Sequence, residues 1–115
     1  MLILNEQQLI ALVKPDLPIK ASPEREVLPI LREKLPGEEI TLATVFEIHS
    51  FVNMADQGGV ACEIVPVGMD RKKMKVALVC SITHLRIKKG EPHYAEIVKY
   101  QVKRVKKLAR QNPFF

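Results

Sequence analysis

The sequence has few of the features that mark specialised classes of protein. Only two cysteines, Cys62 and Cys80, occur in 115 residues. Small secreted domains carry more cysteines at closer spacing, so we expect reduced thiols. The longest apolar runs, such as VALVC at residues 76–80, are far too short to span a bilayer. The N-terminal residues lack the basic and long apolar regions of a signal peptide. We therefore expect a cytoplasmic protein with no membrane span.

The sequence also lacks a recognisable catalytic or metal-binding arrangement. His49 and His84, with the two cysteines, offer imidazole and thiolate groups, but their spacing matches no zinc pattern. His84 and His93 flank a turn and could act as bases, yet no nucleophile or carboxylate pair is spaced with them. There is no glycine-rich phosphate loop. The sequence therefore predicts no enzyme activity, no metal and no cofactor.

Charge is distributed unevenly along the chain. Hydrophobic residues make up 47% and charged residues 27%, a balance that predicts a single soluble domain spanning residues 1–115. Residues 1–67 contain five Lys/Arg and ten Asp/Glu, whereas residues 68–115 contain thirteen Lys/Arg and three Asp/Glu. The halves thus carry −5 and +10. Such asymmetry indicates either a polyanion partner or an acidic face that meets a basic face in an oligomer.

The first 35 residues predict two helices separated by an extended connector. Asn5 is a good N-cap for a short helix that Pro15 stops. The proline-rich segment that follows predicts a connector on the surface. Ser22, with a proline next to it, is an N-cap for a second helix that reaches about Leu35. Pro29 lies inside this helix, which must either kink there or begin later.

Residues 40–54 fit two different structures. As one strand they would have a suitable apolar face, but the strand would be about twice the usual length. As a helix they would begin at the N-cap Thr41 and end near Gly58. Four apolar side chains recur at helical spacing, namely Val45, Ile48, Val52 and Ala55. We predict a helix, with the strand as the alternative.

The second half predicts a β-hairpin and a long helix. Alternating apolar residues on either side of the loop GMDRKK predict a hairpin at about residues 59–87, with Cys62 near Cys80 on its buried face. Residues 91–111 have an apolar side typical of an amphipathic helix. Another side of this helix carries a basic stripe, Lys99, Lys103, Lys106 and Arg110. The predicted fold is α+β and mostly helical, with three N-terminal helices, the hairpin and the long C-terminal helix.

This order of elements resembles a winged helix-turn-helix domain, most like the DNA-binding part of the ferric uptake regulators. The resemblance covers residues 27–80 and includes Thr44, Val45 and Phe46, and later Asp56, Gly58 or Gly59, and Val60. It implies a winged-helix-like core at residues 23–87 and a recognition helix at residues 41–57 that presents Thr44, Glu47 and Ser50. It also implies a wing at residues 68–75, whose phosphate contacts would be Arg71, Lys72, Lys73 and Lys75.

Two functional hypotheses follow. The first is a transcription-regulating, nucleic-acid-binding homodimer that uses the wing and the basic stripe and pairs through its last helix. The second is a non-catalytic module that binds a protein partner or assembles as a homo-oligomer. If residues 40–54 are a strand, the chain becomes helix, three-stranded meander and helix, an order similar to double-stranded RNA-binding domains. The lysines that begin the last helix of those domains are replaced here by EPHYAEI at residues 91–97.

Overall fold

The computed structural model describes residues 3–54 and 58–111. These residues form three α-helices and one five-stranded antiparallel sheet, in which the strands lie in the spatial order 78–81, 59–66, 46–54, 19–23 and 85–87. The prediction of a mostly helical protein with three N-terminal helices is therefore wrong. The elements are α1 (Glu6–Val13), β1 (Ile19–Pro23), α2 (Leu28–Lys34), β2 (Phe46–Met54), β3 (Gly59–Pro66), β4 (Leu78–Ser81), β5 (Leu85–Ile87) and α3 (Tyr94–Gln111).

The first helix begins at the residue that the sequence predicts. The Asn5 side chain accepts a hydrogen bond of 2.8 Å from the backbone N–H of Gln8, and the Gln8 side chain accepts one from the Asn5 N–H. This reciprocal capping box satisfies two backbone donors that a helix otherwise leaves without partners. α1 then buries Leu9 and Val13 in the core.

The predicted surface connector contains a buried strand. β1 lies between β2 and β5, where Ile19 is opposite Ile48 and Ala21 is opposite both Phe46 and Ile87. Prolines favour extended backbone at the residues before them, so the same composition that predicts a connector also suits a short strand. The pairing with two distant strands is what makes this segment part of the sheet.

The second helix begins later than Ser22. That residue lies in β1, and α2 starts at Leu28 with Pro29 in its first turn. A proline is tolerated there because the first N–H groups of a helix have no intrahelical acceptor. Of the two alternatives for Pro29, the delayed start is therefore correct.

The prediction of a helix over residues 41–57 is wrong, although residues 55–57 lie outside the described part of the chain. Residues 41–44 form a turn in which the Thr44 N–H donates to the Thr41 carbonyl oxygen. β2 follows as a strand of nine residues, a normal length, with an irregularity in pairing between Ile48 and Ser50. β1 and β3 supply its backbone hydrogen-bond partners from both sides, which the local sequence cannot indicate.

The hairpin prediction is confirmed for its first two strands. β3 pairs with β4, and Cys62 lies directly opposite Cys80, as the alternation predicts. The hairpin does not continue to residue 87, because a 3-10 turn at Ile82–His84 redirects the chain. β5 therefore lies at the opposite edge of the sheet, next to β1.

The last helix forms, although it begins at Tyr94 and not at residue 91, and it closes the core. α3 contacts α1, β5 and the 3-10 turn. The Gln101 amide Nε2 donates to the carbonyl oxygens of Ile82 and Leu85, each at 2.7 Å. Ile97 is fully buried, and it belongs to the one large apolar cluster that includes Phe46 and residues from every strand. α3 is thus packed against the body of the protein along one side and leaves its other side exposed.

Candidate functional site

The exposed side of α3 forms part of a groove with an apolar floor. The groove has a volume of about 520 Å³ and is lined on its apolar part by Ile3, Val98 and Val102. Val102 lies away from the buried Ile97 because residues five apart on a helix point in very different directions. The α-helical period therefore separates a core face from a surface face along the same element.

The rim of this groove carries only positive charge among its described residues. Its charged members are Lys99, Lys103, Lys106, Lys107 and Arg110. The interval from Lys99 to Arg110 corresponds to about 16 Å along the helix axis at 1.5 Å per residue. The structure thus places the whole predicted stripe along one groove, hereafter the basic groove, and adds Lys107. Like charges held this close create a positive potential that attracts a polyanion.

The predicted wing is a short 3-10 turn, Arg71–Lys73, between β3 and β4. Asp70 caps it by accepting a 2.9 Å hydrogen bond from the Lys72 N–H. A guanidinium nitrogen of Arg71 lies 3.4 Å from a carboxylate oxygen of Glu63, so this side chain already has an anionic partner. Lys72, Lys73 and Lys75 are exposed.

The loop and the basic groove are built from different elements. Lys73 and Lys75 line a hollow beside Lys34 and Leu35 at the end of α2, whereas α3 packs against α1 and β5. The two groups of cations that the sequence predicts as one nucleic-acid surface therefore line different hollows.

The three residues predicted to lie on a recognition helix do not lie on any helix. The Thr44 hydroxyl oxygen accepts a 2.9 Å hydrogen bond from the Thr41 N–H in the turn before β2. Glu47 and Ser50 lie on β2, where Ser50 is opposite Glu63 of β3. A helix entering a major groove therefore cannot be formed from these residues in this fold.

Two polar residues in the part of α3 whose burial is described are buried, and neither was predicted from the sequence. Arg104 is 5% exposed and Tyr100 is 2% exposed. Burial and the nearby Glu6 carboxylate raise the pKa of Tyr100 to about 12, while Arg104 partly offsets this shift. Arg104 lies seven residues after the buried Ile97, which is two helical turns along the same face. This spacing is the sequence feature from which the burial of Arg104 could have been predicted.

Both residues approach the backbone at Gly59, where β3 begins. A Cβ atom at this position would lie 2.7 Å from the Tyr100 hydroxyl oxygen and 3.1 Å from Nε of Arg104. Gly59 also has a φ of +65°, which glycine adopts without strain. Glycine is therefore favoured here for two independent reasons, and it allows α3 to lie close to the sheet.

The two thiols face each other within the sheet but are poor nucleophiles. Burial, with a smaller effect of Cys80, raises the pKa of Cys62 well above its ordinary value. Burial alone raises the pKa of Cys80 to about 12. Because the thiolate is the reactive form, both groups are held in an inert state near neutral pH. In the described part of the chain, no three His, Cys, Asp or Glu residues are grouped so that they could hold a metal ion.

Comparison of the chain with protein-family models, with curated proteins and with solved structures finds no match. Within residues 3–54 and 58–111, no helix is both long and apolar enough to cross a membrane. Function must therefore be inferred from the charge, burial and shape of the surfaces described above.

Proposed function

We propose that this protein binds nucleic acid without catalysis, through the phosphate backbone and the basic groove of α3. The observation that carries the proposal is the all-positive rim of the groove, in which five cations follow one helix and no described lining residue is acidic. A rigid helix holds these side chains in fixed order, so little backbone ordering is needed on binding.

Binding of this kind has a defined physical signature. Lys and Arg contacts to phosphate release counterions, so affinity falls as salt rises, with a slope of about 0.9 per neutralised phosphate on a double-logarithmic plot. Such contacts carry no sequence information directly. We therefore expect strong salt dependence and weak discrimination between sequences.

The exposed lysines of the loop between β3 and β4 are a secondary contact in this proposal. Lys72, Lys73 and Lys75 can meet phosphates of a ligand long enough to extend beyond the groove. Arg71 contributes less, because contact with phosphate would require it to leave Glu63.

The test is fluorescence anisotropy with labelled duplex DNA, duplex RNA and single-stranded pools at low and moderate salt. The central variant is Lys103→Glu with Lys106→Glu, since both side chains are exposed. The matched control is Lys14→Glu with Lys89→Glu, which has the same net charge and replaces exposed lysines outside the groove. We expect the groove variant to bind at least about tenfold more weakly than the control.

Two results would contradict the proposal. One is the absence of binding by the wild type to every pool even at low salt. The other is equal weakening by the groove variant and its control, which would mean that net charge alone governs the interaction. A third variant, Lys72→Glu with Lys73→Glu, measures how much the loop between β3 and β4 contributes to the affinity for nucleic acid.

A second candidate function is supported by the apolar floor of the groove. Ile3 and Val102 are 43% and 49% exposed, and phosphate offers no apolar contact for either. An acidic, amphipathic segment of a protein partner, or of a second copy of the chain, would satisfy both the floor and the rim. Light scattering over a range of concentrations tests the second copy. A dimer that Val102→Glu dissociates would favour self-association over nucleic-acid binding.

A further inference from the structure

A second cavity lies on the other flank of α3, and the nucleic-acid proposal does not use it. Its volume is about 440 Å³, and it opens between α3, the segment after β1 and the 3-10 turn Ile82–His84. Its polar lining consists of Glu24, Glu26, Ser81, Thr83, His84 and Arg104. We call this cavity the polar cleft. Its volume falls within the usual range of small-molecule sites, about 300–1,000 Å³.

One part of the polar cleft is suited to an anionic group. Arg104 is the most buried charged residue of its lining, at 5% exposure, so its guanidinium acts in a medium that screens charge weakly. The hydroxyls of Ser81 and Thr83 are hydrogen-bonded to each other at 2.8 Å, so one of the two O–H groups stays available to donate to a ligand. The Ser81 oxygen also accepts from the Thr83 N–H. Guanidinium and hydroxyl donors are the groups that recognise a carboxylate.

Another part of the lining is suited to a cationic group. The Glu24 backbone is fixed by a 2.8 Å hydrogen bond from its N–H to the His84 carbonyl oxygen. Its carboxylate lies 3.8 Å from Arg86, a long contact that leaves acceptor capacity for a ligand. Glu26 is exposed and adds a second carboxylate to the same cleft.

The rest of the lining consists of Gly58 and of two apolar residues. Val105 and Leu108 of α3 line the cleft together with the polar groups. A ligand that fits must therefore present a negative group, a positive group and an apolar portion. A simple phosphate lacks the second and third of these, and a metal cation lacks the first and third.

We propose that the polar cleft binds a small zwitterion with an apolar side chain, namely a free α-amino acid or a short peptide. Its carboxylate contacts Arg104 and accepts a hydrogen bond from whichever hydroxyl of Ser81 and Thr83 does not donate to the other. Its ammonium group contacts Glu24 and Glu26, and its side chain packs on Val105 and Leu108. This inference goes beyond nucleic-acid binding and does not depend on it, because the basic groove has a different set of lining residues.

The first experiment is isothermal titration calorimetry of the full chain with four probes. L-leucine and L-leucyl-L-leucine carry both charges and distinguish an amino acid from a peptide as the source. N-acetyl-L-leucine lacks the ammonium group, and L-leucinamide lacks the carboxylate. We expect at least one zwitterion to bind, and each single-charge probe to bind about tenfold more weakly, the loss typical of one charge-assisted hydrogen bond.

The matched variants separate the cleft from general charge effects. Glu24→Gln with Glu26→Gln removes the carboxylates at partly or fully exposed positions, so we expect it to fold. Glu33→Gln with Glu39→Gln makes the same charge change at exposed positions outside the cleft. The first pair should weaken zwitterion binding about tenfold and the second should leave it unchanged.

Ser81→Ala with Thr83→Val tests the anionic end without removing the buried Arg104. We expect this variant to lose affinity for the zwitterion while keeping its response to L-leucinamide, which has no carboxylate. Lys103→Glu with Arg110→Glu, which replaces two exposed residues of the basic groove, should bind the zwitterion normally even if it loses nucleic acid. The absence of binding by both zwitterions up to about 10 mM, far weaker than metabolite-binding sites usually are, would overturn the proposal. Equal binding of all four probes would also overturn it.

Discussion

His93 Nε2 lies 2.6 Å from Oδ2 of Asp16, and this contact joins two parts of the chain that are 77 positions apart. Asp16 ends the 3-10 turn after α1, and His93 directly precedes α3. His93 has a φ of +63°, a left-handed conformation that is unfavourable for a residue with a side chain. The contact therefore fixes the start of α3 on the body of the protein at a position with local backbone strain.

A double-mutant cycle measures this contact. We use Asp16→Asn and His93→Asn, because asparagine tolerates a left-handed backbone better than most residues and keeps the strain comparable. About half of the Asp16 side chain is exposed, so we expect a coupling free energy of only about 0.5 kcal/mol. Urea denaturation of the four proteins gives this value. A coupling free energy of zero would mean that the contact does not hold the start of α3.

Replacement of Gly59 by alanine should strongly destabilise the fold. The new methyl group would contact Tyr100 and Arg104, and the alanine would be held at the unfavourable φ of +65°. Gly68 is the matched control, since its φ is +89° but a methyl group there would have no atom within 4 Å apart from its chain neighbours. We expect Gly68→Ala to lower the free energy of unfolding by about 1 kcal/mol and Gly59→Ala by clearly more.

A second substitution identifies the source of the difference. Tyr100→Phe removes the hydroxyl oxygen nearest to the new methyl group. In the Gly59→Ala background it should therefore restore part of the lost stability. Equal destabilisation by Gly59→Ala and Gly68→Ala would show that steric contact with α3 contributes nothing.

Substitutions at Ile48 and Val52 test whether residues 40–54 form a strand or a helix. In a helix these residues, four apart, would share one buried face. In the structure Ile48 is fully buried, whereas Val52 is 50% exposed, beyond the pairing irregularity. We expect Ile48→Ala to cost about 2–4 kcal/mol and Val52→Ala less than about 1 kcal/mol. Similar losses from both substitutions, measured by denaturation, would favour the helix.

The buried thiols should make stability depend on pH in the alkaline range. Their pKa values are raised in the folded state, to about 12 for Cys80. The folded protein therefore binds more protons than the unfolded chain above about pH 9, so the free energy of unfolding should fall as the pH rises from there. Denaturation under reducing conditions at pH 8 to 11 measures this slope.

The Cys80→Ala variant should show a shallower decline over the same range, because one titrating group is lost. Tyr100→Phe serves as a comparison, since the pKa of Tyr100 is also raised to about 12 and its effect begins about one pH unit higher. If the free energy of unfolding fell equally steeply with pH in the wild type and in Cys80→Ala, the pH dependence would not come from the Cys80 thiol.

Several features follow from short stretches of sequence, because their causes are local. The Asn5 cap of α1, the basic stripe of α3 and the pairing of Cys62 with Cys80 were all predictable. A helix cap is determined by about four consecutive residues. A stripe along a helix is determined by the spacing of residues within that helix, and a hairpin by two neighbouring strands and the loop between them.

The placement of β1, β2 and β5 was decided only by the tertiary structure. Each of these strands pairs with at least one partner distant in sequence, and Phe46 meets Ala21 and Pro66 on its two sides. A segment with both helical and alternating apolar spacing adopts the strand when backbone partners are available on both sides.

Of the two candidate sites, the basic groove was partly predictable from the sequence, whereas the polar cleft depends on the tertiary structure. Amino-acid sequence alone determined the positive side of α3, since charge spacing along one helix needs no other element. The polar cleft needs the end of β1, the turn at Ile82–His84 and α3 to meet around Arg104. Burial of that arginine depends on the closeness of α3 to Gly59, a contact that no local pattern indicates.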